Sequence, residues 1–347
     1  ARGSTHQQPG RISQQQSSGQ TSGESSIVGD VDPTASVSTD TDKIRLIYQG
    51  DEDSLTENDE VAAKYGDMYI LEYDTSSEAK RAKDRLKKDG SVGKEEIVRM
   101  ATDSDSSESE KETISAEDIN DSIEKADDYS IPDYSRQNVI AVIDTGSTDQ
   151  DIGSVSFIDK DAKDTNGHAT RVEEAIRDQN ADAQILSLKA LDDNGNGTTA
   201  SVIAALDYAM KAHVSIINLS FSGKATDDTK ILESKIQEAA KAGITVIGAA
   251  GNNNADASSY VPGNVSEILT IGAATADGNK VDGSNYGDMV DWYVTAPSTS
   301  IAAAKATGIY SKEGKLQEKE GVVFSKVNYT IDSNSSDNQK DTTIISS

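Results

Sequence analysis

The sequence contains no cysteine and three histidines, and both scarcities narrow the possible chemistry. Without cysteine, disulfide bonds and cysteine-based metal or thiol sites are excluded. A histidine-dependent site would have to use His6, His168 or His213. No run of about 18 apolar residues occurs, so no transmembrane segment is expected. The N-terminus also lacks the positive-then-apolar pattern of a secretory signal.

Positive charge is also scarce, with 33 Lys and Arg against 60 Asp and Glu, a formal net charge of -27. This balance argues against nucleic-acid binding, because phosphate contacts need Lys and Arg. We interpret the charge as favouring solubility. Residues 101–130 hold eleven acids against two lysines. That run predicts a solvated acidic linker, the alternative being a specific acidic docking segment.

Composition divides the chain into five segments. Residues 1–43 are rich in Gln, Ser, Gly and Thr and are predicted to be disordered, because they lack apolar periodicity. A small α+β domain is expected over residues 44–100, followed by the acidic linker over 101–131. The main domain is expected over residues 132–312, and residues 313–347 form a polar tail that we predict to be poorly ordered.

The pattern over residues 44–100 is strand, strand, helix, strand. Strands are predicted at 44–48, 68–73 and 95–100. Asp74, Thr75 or Ser76 can cap a helix that runs through about Lys88 and ends before Gly90.

The main domain alternates apolar runs with amphipathic stretches, which predicts an α/β fold. Such alternation implies βαβ units and a doubly wound, mostly parallel sheet with helices on both faces. We predict strands at 138–144, 183–191, 214–220, 244–250, 268–274 and 290–296. We predict helices at 168–178, 199–212, 227–242 and 300–312.

Asp144 ends a buried apolar strand and precedes a Gly turn. Chemistry in open parallel sheets gathers beyond the carboxyl ends of the strands. His168 follows, preceded by a Gly and opening a predicted helix. Asp and then Gly-His are the first two members of a serine-protease triad in the order Asp, His, Ser. The alternatives are a turn aspartate and a surface or helix-cap histidine. His213 is expected to cap a helix or face solvent.

Five short motifs occur in one order. They are Ile143-Asp144-Thr145-Gly146, Asn166-Gly167-His168-Ala169-Thr170, Ile216-Ile217-Asn218-Leu219-Ser220-Phe221-Ser222-Gly223, Ala249-Ala250-Gly251-Asn252 and Ser298-Thr299-Ser300-Ile301-Ala302. The set resembles the Asp, His, substrate-strand, oxyanion-asparagine and nucleophile motifs of the subtilisin-like serine proteases, the subtilase family. The resemblance covers roughly residues 132 to 312. It implies a subtilisin-like fold, and it identifies the small domain at 44–100 as similar to the family's propeptide, an intramolecular chaperone and inhibitor. The alternative is an unrelated α+β module.

The resemblance also assigns roles. Asn252 would donate to the oxyanion of a tetrahedral intermediate, although a plain turn asparagine is the alternative. Ser220, Phe221 and Ser222 would form an edge to which an extended peptide adds as a strand. A plain sheet strand that ends in a turn is the alternative there.

The nucleophile has two possible assignments. In one, Ala296-Pro297 is the family's turn before a hairpin, and Ser300 is structural. In the other, the hairpin is missing and Ser300 is the nucleophile. The second is favoured because a run of small residues follows Ser300, as in a helix packed tightly on the sheet.

Several residues depart from the family pattern. They are Ala169, Arg171, Glu173, Glu174, Ser298 and Ala304. These departures question the surroundings of the site more than the fold. A partial calcium-loop pattern begins at Asp192, but Ile203 stands where a carboxylate is required. We interpret it as a turn, so calcium is weakly supported and no metal site or cofactor is assigned.

The sequence therefore predicts a serine endopeptidase, a hydrolase with Asp144, His168 and Ser300 as triad, made with an inhibitory propeptide. Its expected partners are a protein or peptide substrate and its own propeptide, with no nucleic acid. An extracellular or cell-surface location is expected. The alternative function is a weak or inactive subtilase-fold binding module, a pseudoprotease.

Overall fold

The N-terminal segment forms a small α+β unit in the computed structural model, which describes residues 38–101 and 113–331. Its elements are β1 (Ser38–Thr39), β2 (Ile44–Gly50), β3 (Glu60–Tyr65), β4 (Met68–Tyr73), α1 (Ser76–Leu86), β5 (Gly90–Lys94) and β6 (Ile97–Met100), with a short 3₁₀ helix at Glu52–Ser54. An antiparallel sheet has the order β3-β4-β2-β5. The predicted strands β2, β4 and β6 and helix α1 are confirmed. The prediction lacked β3 and β5, and Gly90 begins β5 rather than ending α1.

The two faces of this small sheet pack against different partners. Leu46 and Tyr48 in β2 belong to an apolar cluster with α1, and Ile47 between them belongs to the core of the main domain. This division follows from the alternation of side chains along a strand. Helix α1 begins with a capping box in which Thr75 and Glu78 bond each other's backbone N–H groups.

The acidic segment contains a helix, so the prediction of a linker is wrong for part of it. Strand β7 (Thr113–Ile114) pairs with β1, and helix α2 (Ala116–Asp127) follows. Ile119 and Ile123 of α2 are fully buried. The acids occupy the other face of an amphipathic helix, so charge that suggests a linker is instead the solvated side of a packed element. The expectations for residues 1–37, 102–112 and 332–347 lie outside the described residues.

The main domain contains every strand and helix predicted for it, with small shifts at the ends. Its elements are β8 (Val139–Asp144), β9 (Gly153–Ser156), α3 (His168–Gln179), β10 (Gln184–Lys189), β11 (Asn196–Thr198), α4 (Thr199–Lys211), β12 (Ile216–Leu219), β13 (Phe221–Lys224), α5 (Lys230–Lys241), β14 (Thr245–Ala249), β15 (Tyr260–Val261), β16 (Leu269–Ala274), β17 (Trp292–Thr295), α6 (Thr299–Glu313) and β18 (Val323–Phe324), with a short 3₁₀ helix at Ala257–Ser259.

The central sheet has eight strands in the order β18-β17-β16-β14-β12-β8-β10-β9, all parallel except β18. Ile140 and Val142 of β8 pack in one cluster with α3 and α6, and Ala141 and Ile143 in another with α2, α4 and α5. Helices therefore cover both faces, which confirms the predicted doubly wound α/β fold.

The strand order places a switch point beside β8. From β8 the chain crosses to β10 on one side, and from β12 it crosses to β14 on the other. Ligand crevices form at such points, beyond the carboxyl ends of the strands. A second small sheet lies at this edge in the order β11-β6-β13-β15, so the last strand of the N-terminal unit lies between two strands of the main domain.

The beginning of the polar tail is ordered, which corrects the prediction for that part. Strand β18 pairs antiparallel with β17, and Val323 is almost fully buried. The short apolar stretch there is enough to complete the edge of the sheet, since one face of β18 packs on the core cluster. No described helix is long and apolar enough to cross a membrane.

Candidate active site

Asp144 is the last residue of β8 and is fully buried. Its Oδ1 accepts a hydrogen bond from the Thr145 N–H at 2.7 Å and lies 2.7 Å from His168 Nδ1. The turn that follows requires glycine, because Gly146 has a φ of +139° and a Cβ there would lie 2.6 Å from Asp164 N. The strand and its turn therefore aim a desolvated carboxylate at the histidine.

His168 is the first residue of α3 and is 2% exposed. With Asp144 ionised, Nδ1 carries the proton, and the lone pair of Nε2 faces Ser300 Oγ at 3.1 Å. The start of this helix is fixed by Asp164, whose carboxylate accepts hydrogen bonds from Gly167 N, Thr170 N and Thr170 Oγ1. Burial alone would raise the pKa of Asp164, but the hydrogen bonds outweigh it and hold the pKa below its usual value.

Ser300 is the second residue of α6 and is 1% exposed. Its Oγ contacts His168 Nε2, the Ser220 carbonyl oxygen at 3.0 Å and the Ala101 carbonyl oxygen. Ser220 Oγ in turn donates to the Ser300 carbonyl oxygen at 3.1 Å. This position agrees with the assignment in which the hairpin is missing and Ser300 follows Ser298 and Thr299 directly. The positive end of the helix dipole lies at the same place.

Asn252 is tied to the helix that carries Ser300. Its Oδ1 accepts hydrogen bonds from Thr299 N at 3.0 Å and from Thr299 Oγ1 at 2.8 Å. It follows β14 and Gly251, which has a φ of +101°. This link distinguishes Asn252 from a plain turn asparagine, because the amide is held beside the nucleophile candidate.

The segment from Ser220 to Ser222 forms the edge of a groove that the chain itself fills. In β13, Phe221 pairs with Met100 and Ser222 pairs with Arg99 of β6. Ala101 N donates to the Ser220 carbonyl oxygen at 3.0 Å. On the other side, β11 pairs with β6 through Asn196 to Thr198. An extended segment therefore lies between two strands and ends with a carbonyl at Ser300.

The remaining candidates lie elsewhere. His6 is outside the described residues. The side chain of His213 is exposed, with Nδ1 3.1 Å from Asp133 Oδ1, which confirms that it faces solvent. Asp192 Oδ1 accepts hydrogen bonds from Asn194 N and Asn196 N, both at 2.9 Å, as a turn does. Among the residues that the structure describes, no group of three His, Cys, Asp or Glu side chains is arranged to hold a metal ion.

Two departures from the family pattern sit differently on α3. Glu174 is exposed, but Glu173 is fully buried. Thr148 Oγ1 donates to Glu173 Oε2 at 2.9 Å, and Arg177 donates to the same oxygen at 3.1 Å. Burial and the neighbouring Asp151 carboxylate raise the pKa of Glu173 to about 8. These contacts fix α3 to the loop that holds Thr148 and Asp151.

Sequence reasoning missed two residues that hold the site. Asp164 caps the helix of His168, and its position shortly before a Gly-His pair is the signal that could have revealed it. Asn285 is fully buried and bonds the loop around Asn252. The sequence carries no local sign of its partner, because about thirty residues separate the two.

Comparison with known proteins gives a consistent family. The profile of the subtilase family of S8 peptidases matches residues 114–325. The chain is 38% identical over 149 residues to an extracellular serine proteinase of Thermus sp. strain Rt41A, a match that covers 41% of this chain and 35% of that protein. It is 33% identical over 184 residues to subtilisin-like protease 7 of Trichophyton soudanense, covering 48% of this chain and 45% of that protein.

A third relative and one solved structure have similar descriptions. Alkaline serine exoprotease A of Vibrio alginolyticus is 33% identical, with 49% of this chain and 34% of that protein covered. A crystal structure of a cold adapted subtilisin-like serine proteinase is 27% identical, with a TM-score of 0.46, and covers 53% of this chain and 78% of that one. The chain spans less than half the length of these curated relatives. Because the family profile matches more than half of its residues, this chain belongs to the subtilase family.

Proposed function

We propose that this chain is a serine endopeptidase in which Asp144, His168 and Ser300 act as a catalytic triad. The observation that carries the proposal is that His168 lies within hydrogen-bond distance of both other residues, 2.7 Å from Asp144 and 3.1 Å from Ser300. Family membership supports the same reaction class. The relative from Thermus is named as extracellular, and we propose that this protein is also secreted.

The geometry supports hydrolysis in two steps. Ser300 Oγ attacks the carbonyl carbon of the scissile bond while its proton passes to His168 Nε2. Asp144 keeps the correct tautomer of the ring and stabilises the imidazolium that forms. Collapse of the intermediate breaks the C–N bond, and His168 gives the proton to the leaving amine. Water then attacks the acyl-enzyme with His168 as base, which releases the acid and restores Ser300.

The developing oxyanion needs preorganised donors. The backbone N–H groups at the start of α6 and the side-chain amide of Asn252 are the candidates, since Asn252 is fixed to Thr299. Such donors act in a buried site, where they are worth more than in water.

Residues 44–101 are proposed to be an inhibitory propeptide. Strand β6 fills the groove that a substrate would need, and Ala101 ends at Ser300. The unit is fixed to the main domain by polar contacts, among them the Asp228 carboxylate, which accepts from Lys83 Nζ and from Lys94 N. We propose that the enzyme cuts its own chain after Ala101, that the severed unit inhibits it while bound, and that release of the unit gives the matured enzyme. Segment 44–101 added in trans should then inhibit the matured enzyme, and no inhibition at micromolar concentration would contradict this part of the proposal.

Covalent labelling tests the nucleophile. A fluorophosphonate should label the matured wild-type protein at Ser300, as mapped by mass spectrometry. Ser300→Ala should keep its fold, since one hydroxyl is lost beside small residues, but should lose labelling, peptidase activity and cleavage after Ala101. Ser298→Ala is the matched control, because Ser298 precedes the same helix and its hydroxyl makes no cap hydrogen bond. Unchanged activity in Ser300→Ala would refute the assignment. An unlabelled wild-type protein that still binds peptides would favour the pseudoprotease alternative.

A further inference from the structure

Asn285 lies in the turn between β16 and β17 and is fully buried. It makes four hydrogen bonds to the loop that carries Asn252. Asn285 N donates to Gly251 O at 2.8 Å, and Asn285 Nδ2 donates to Ala250 O at 2.9 Å. Asn285 Oδ1 accepts from Asn253 N at 2.9 Å and from Ala255 N at 3.0 Å. These bonds bracket Asn252 on both sides.

The approach between the two loops leaves no spare room. A Cβ on Gly251 would lie 2.5 Å from Asn285 Nδ2 and 2.8 Å from Ser222 Oγ. Gly251 also has a φ of +101°, so glycine is required there for two reasons. The backbone before Asn252 therefore packs directly against the side-chain amide of Asn285.

The turn that presents Asn285 is itself held by Lys280. Its Nζ donates to the carbonyl oxygens of Val281 at 3.0 Å, Asp282 at 3.1 Å and Ser284 at 3.0 Å. Asn254 Oδ1 lies 2.8 Å from the same ammonium, so three N–H groups are shared among four oxygens and join the turn to the Asn252 loop a second time. The two loops are therefore joined both by Asn285 and by Lys280.

We infer that Asn285 is a positioning residue that holds Asn252 in place to donate to the oxyanion. This inference rests on the proposed function. Asn285 sets the backbone on both sides of Asn252, and Thr299 fixes the amide oxygen. An oxyanion donor is effective only when it is aimed beforehand at the charge that develops. A loosened loop should therefore lower kcat and leave ground-state binding in the groove, which β13 and β11 form, largely intact.

The experiment is a double-mutant cycle on the matured enzyme with a peptide substrate. The single variants are Asn252→Ala and Asn285→Ala, and Ser122→Ala is the control. Ser122 Oγ donates to Asp159 O at 2.8 Å from α2, so its loss removes a buried hydrogen bond that does not touch either loop. Asn285→Asp is included because its carboxylate can keep both acceptor bonds but sets an acceptor oxygen against Ala250 O in place of the donor Nδ2.

We expect Asn252→Ala to lower kcat by about 10²-fold, the scale measured for such a donor in subtilisin. Asn285→Ala should lower kcat by about 10-fold or more with KM changed less than about 2-fold, and Asn285→Asp should also lower kcat. In the Asn252→Ala background, Asn285→Ala should change kcat by less than about 2-fold, since both substitutions remove one function. Ser122→Ala should lower the melting temperature without changing kcat.

Equal loss of kcat from Asn285→Ala in both backgrounds would overturn the inference, and so would a lower melting temperature with unchanged kcat. If Asn285→Ala does not fold, Asn285→Asp and Lys280→Met are measured in the same cycle, and unchanged kcat in both would overturn it equally. A wild-type enzyme that neither cleaves peptides nor reacts at Ser300 would instead refute the proposed function, so the two failures are distinguishable.

Discussion

In the N-terminal unit the guanidinium of Arg45 lies between Glu95 and Glu72, and in the main domain that of Arg177 lies between Asp151 and Glu173. Both clusters thus contain one arginine and two carboxylates. The side chain of Arg45 is 2% exposed, against 16% for Arg177. Arg45 has a third partner, Asn120 Oδ1, at 3.0 Å.

The two clusters differ in which group responds to burial. Burial alone would lower the pKa of Arg45, but Glu95 and Glu72 outweigh it and raise the pKa above its ordinary value. In the other cluster a carboxyl responds, because burial and the Asp151 carboxylate raise the pKa of Glu173 to about 8. A similar composition therefore raises the pKa of the arginine in one cluster and the pKa of a carboxyl in the other. Hydrogen-bond geometry and burial decide between them.

Removing Arg45 should have the largest effect. Arg45→Met leaves two carboxylates without their buried counter-ion and cuts the bond to Asn120 of α2. Breaking a buried ion pair by removing one partner costs about 3–5 kcal/mol. We expect segment 44–101 carrying this change to inhibit the matured enzyme about 100-fold more weakly, since 1.4 kcal/mol is about tenfold in affinity.

Lys64→Met is the matched control for that prediction. Lys64 pairs with Glu52 on the surface of the same unit. Exposed pairs contribute little because water and salt screen them, so inhibition should be unchanged. Equal weakening by both variants would show that the unit responds to general loss of charge rather than to its buried cluster.

Removing Arg177 should cost less. Arg177→Met also strips two carboxylates of their counter-ion, but Glu173 can become neutral by binding a proton. We expect a loss on the order of 1–2 kcal/mol at about pH 6, comparable to one charged hydrogen bond, and a larger loss at about pH 9. Denaturant unfolding in the Ser300→Ala background measures both without self-digestion. A loss independent of pH would contradict the assignment of Glu173 as the group that adapts.

The sequence predicts the regular part of this fold well because burial leaves a local pattern. The apolar run that ends at Asp144 and the helices flanked by Gly167 and Gly243 follow from strand and helix rules. The sequence also points to Ser300 as the nucleophile candidate, because a helix of small residues has a distinctive composition. The approach of α6 to α3 explains that composition, since a Cβ on Gly308 would lie 2.4 Å from Ile176 O.

The parts that the sequence could not predict depend on contacts between distant residues. The sequence predicts strand β6 itself but not its pairing with β11 and β13, about a hundred residues away. Nothing in the sequence distinguishes Asn285 from the other asparagines, because its four hydrogen bonds are made to a distant loop. Glu173 could be noted as unusual on a packed helix, but its partners Thr148 and Asp151 lie in another loop. The sequence of α2 has an amphipathic pattern, but its many acidic residues favoured the prediction of a linker.

Neutralising Glu173 should have the smallest effect and the clearest dependence on pH. The folded protein holds the proton up to about pH 8, and an unfolded glutamate releases it near its ordinary pKa of 4.5. Between these values the folded state binds more protons than the unfolded state, so this group's contribution to stability falls as the pH rises. The groups that face it are Thr148 and Asp151 from the preceding loop and Arg177 from its own helix.

Glu173→Gln keeps the shape of the side chain. We expect it to flatten the fall in unfolding free energy between about pH 5 and pH 8. Above about pH 8 the variant should be slightly more stable than its parent. Unfolding by denaturant across that range, again in the Ser300→Ala background, measures the slope. Glu174→Gln on the exposed side of α3 is the control and should leave it unchanged. A slope that persists in Glu173→Gln would assign the titration to another group, and the two arginine clusters would then differ in burial alone.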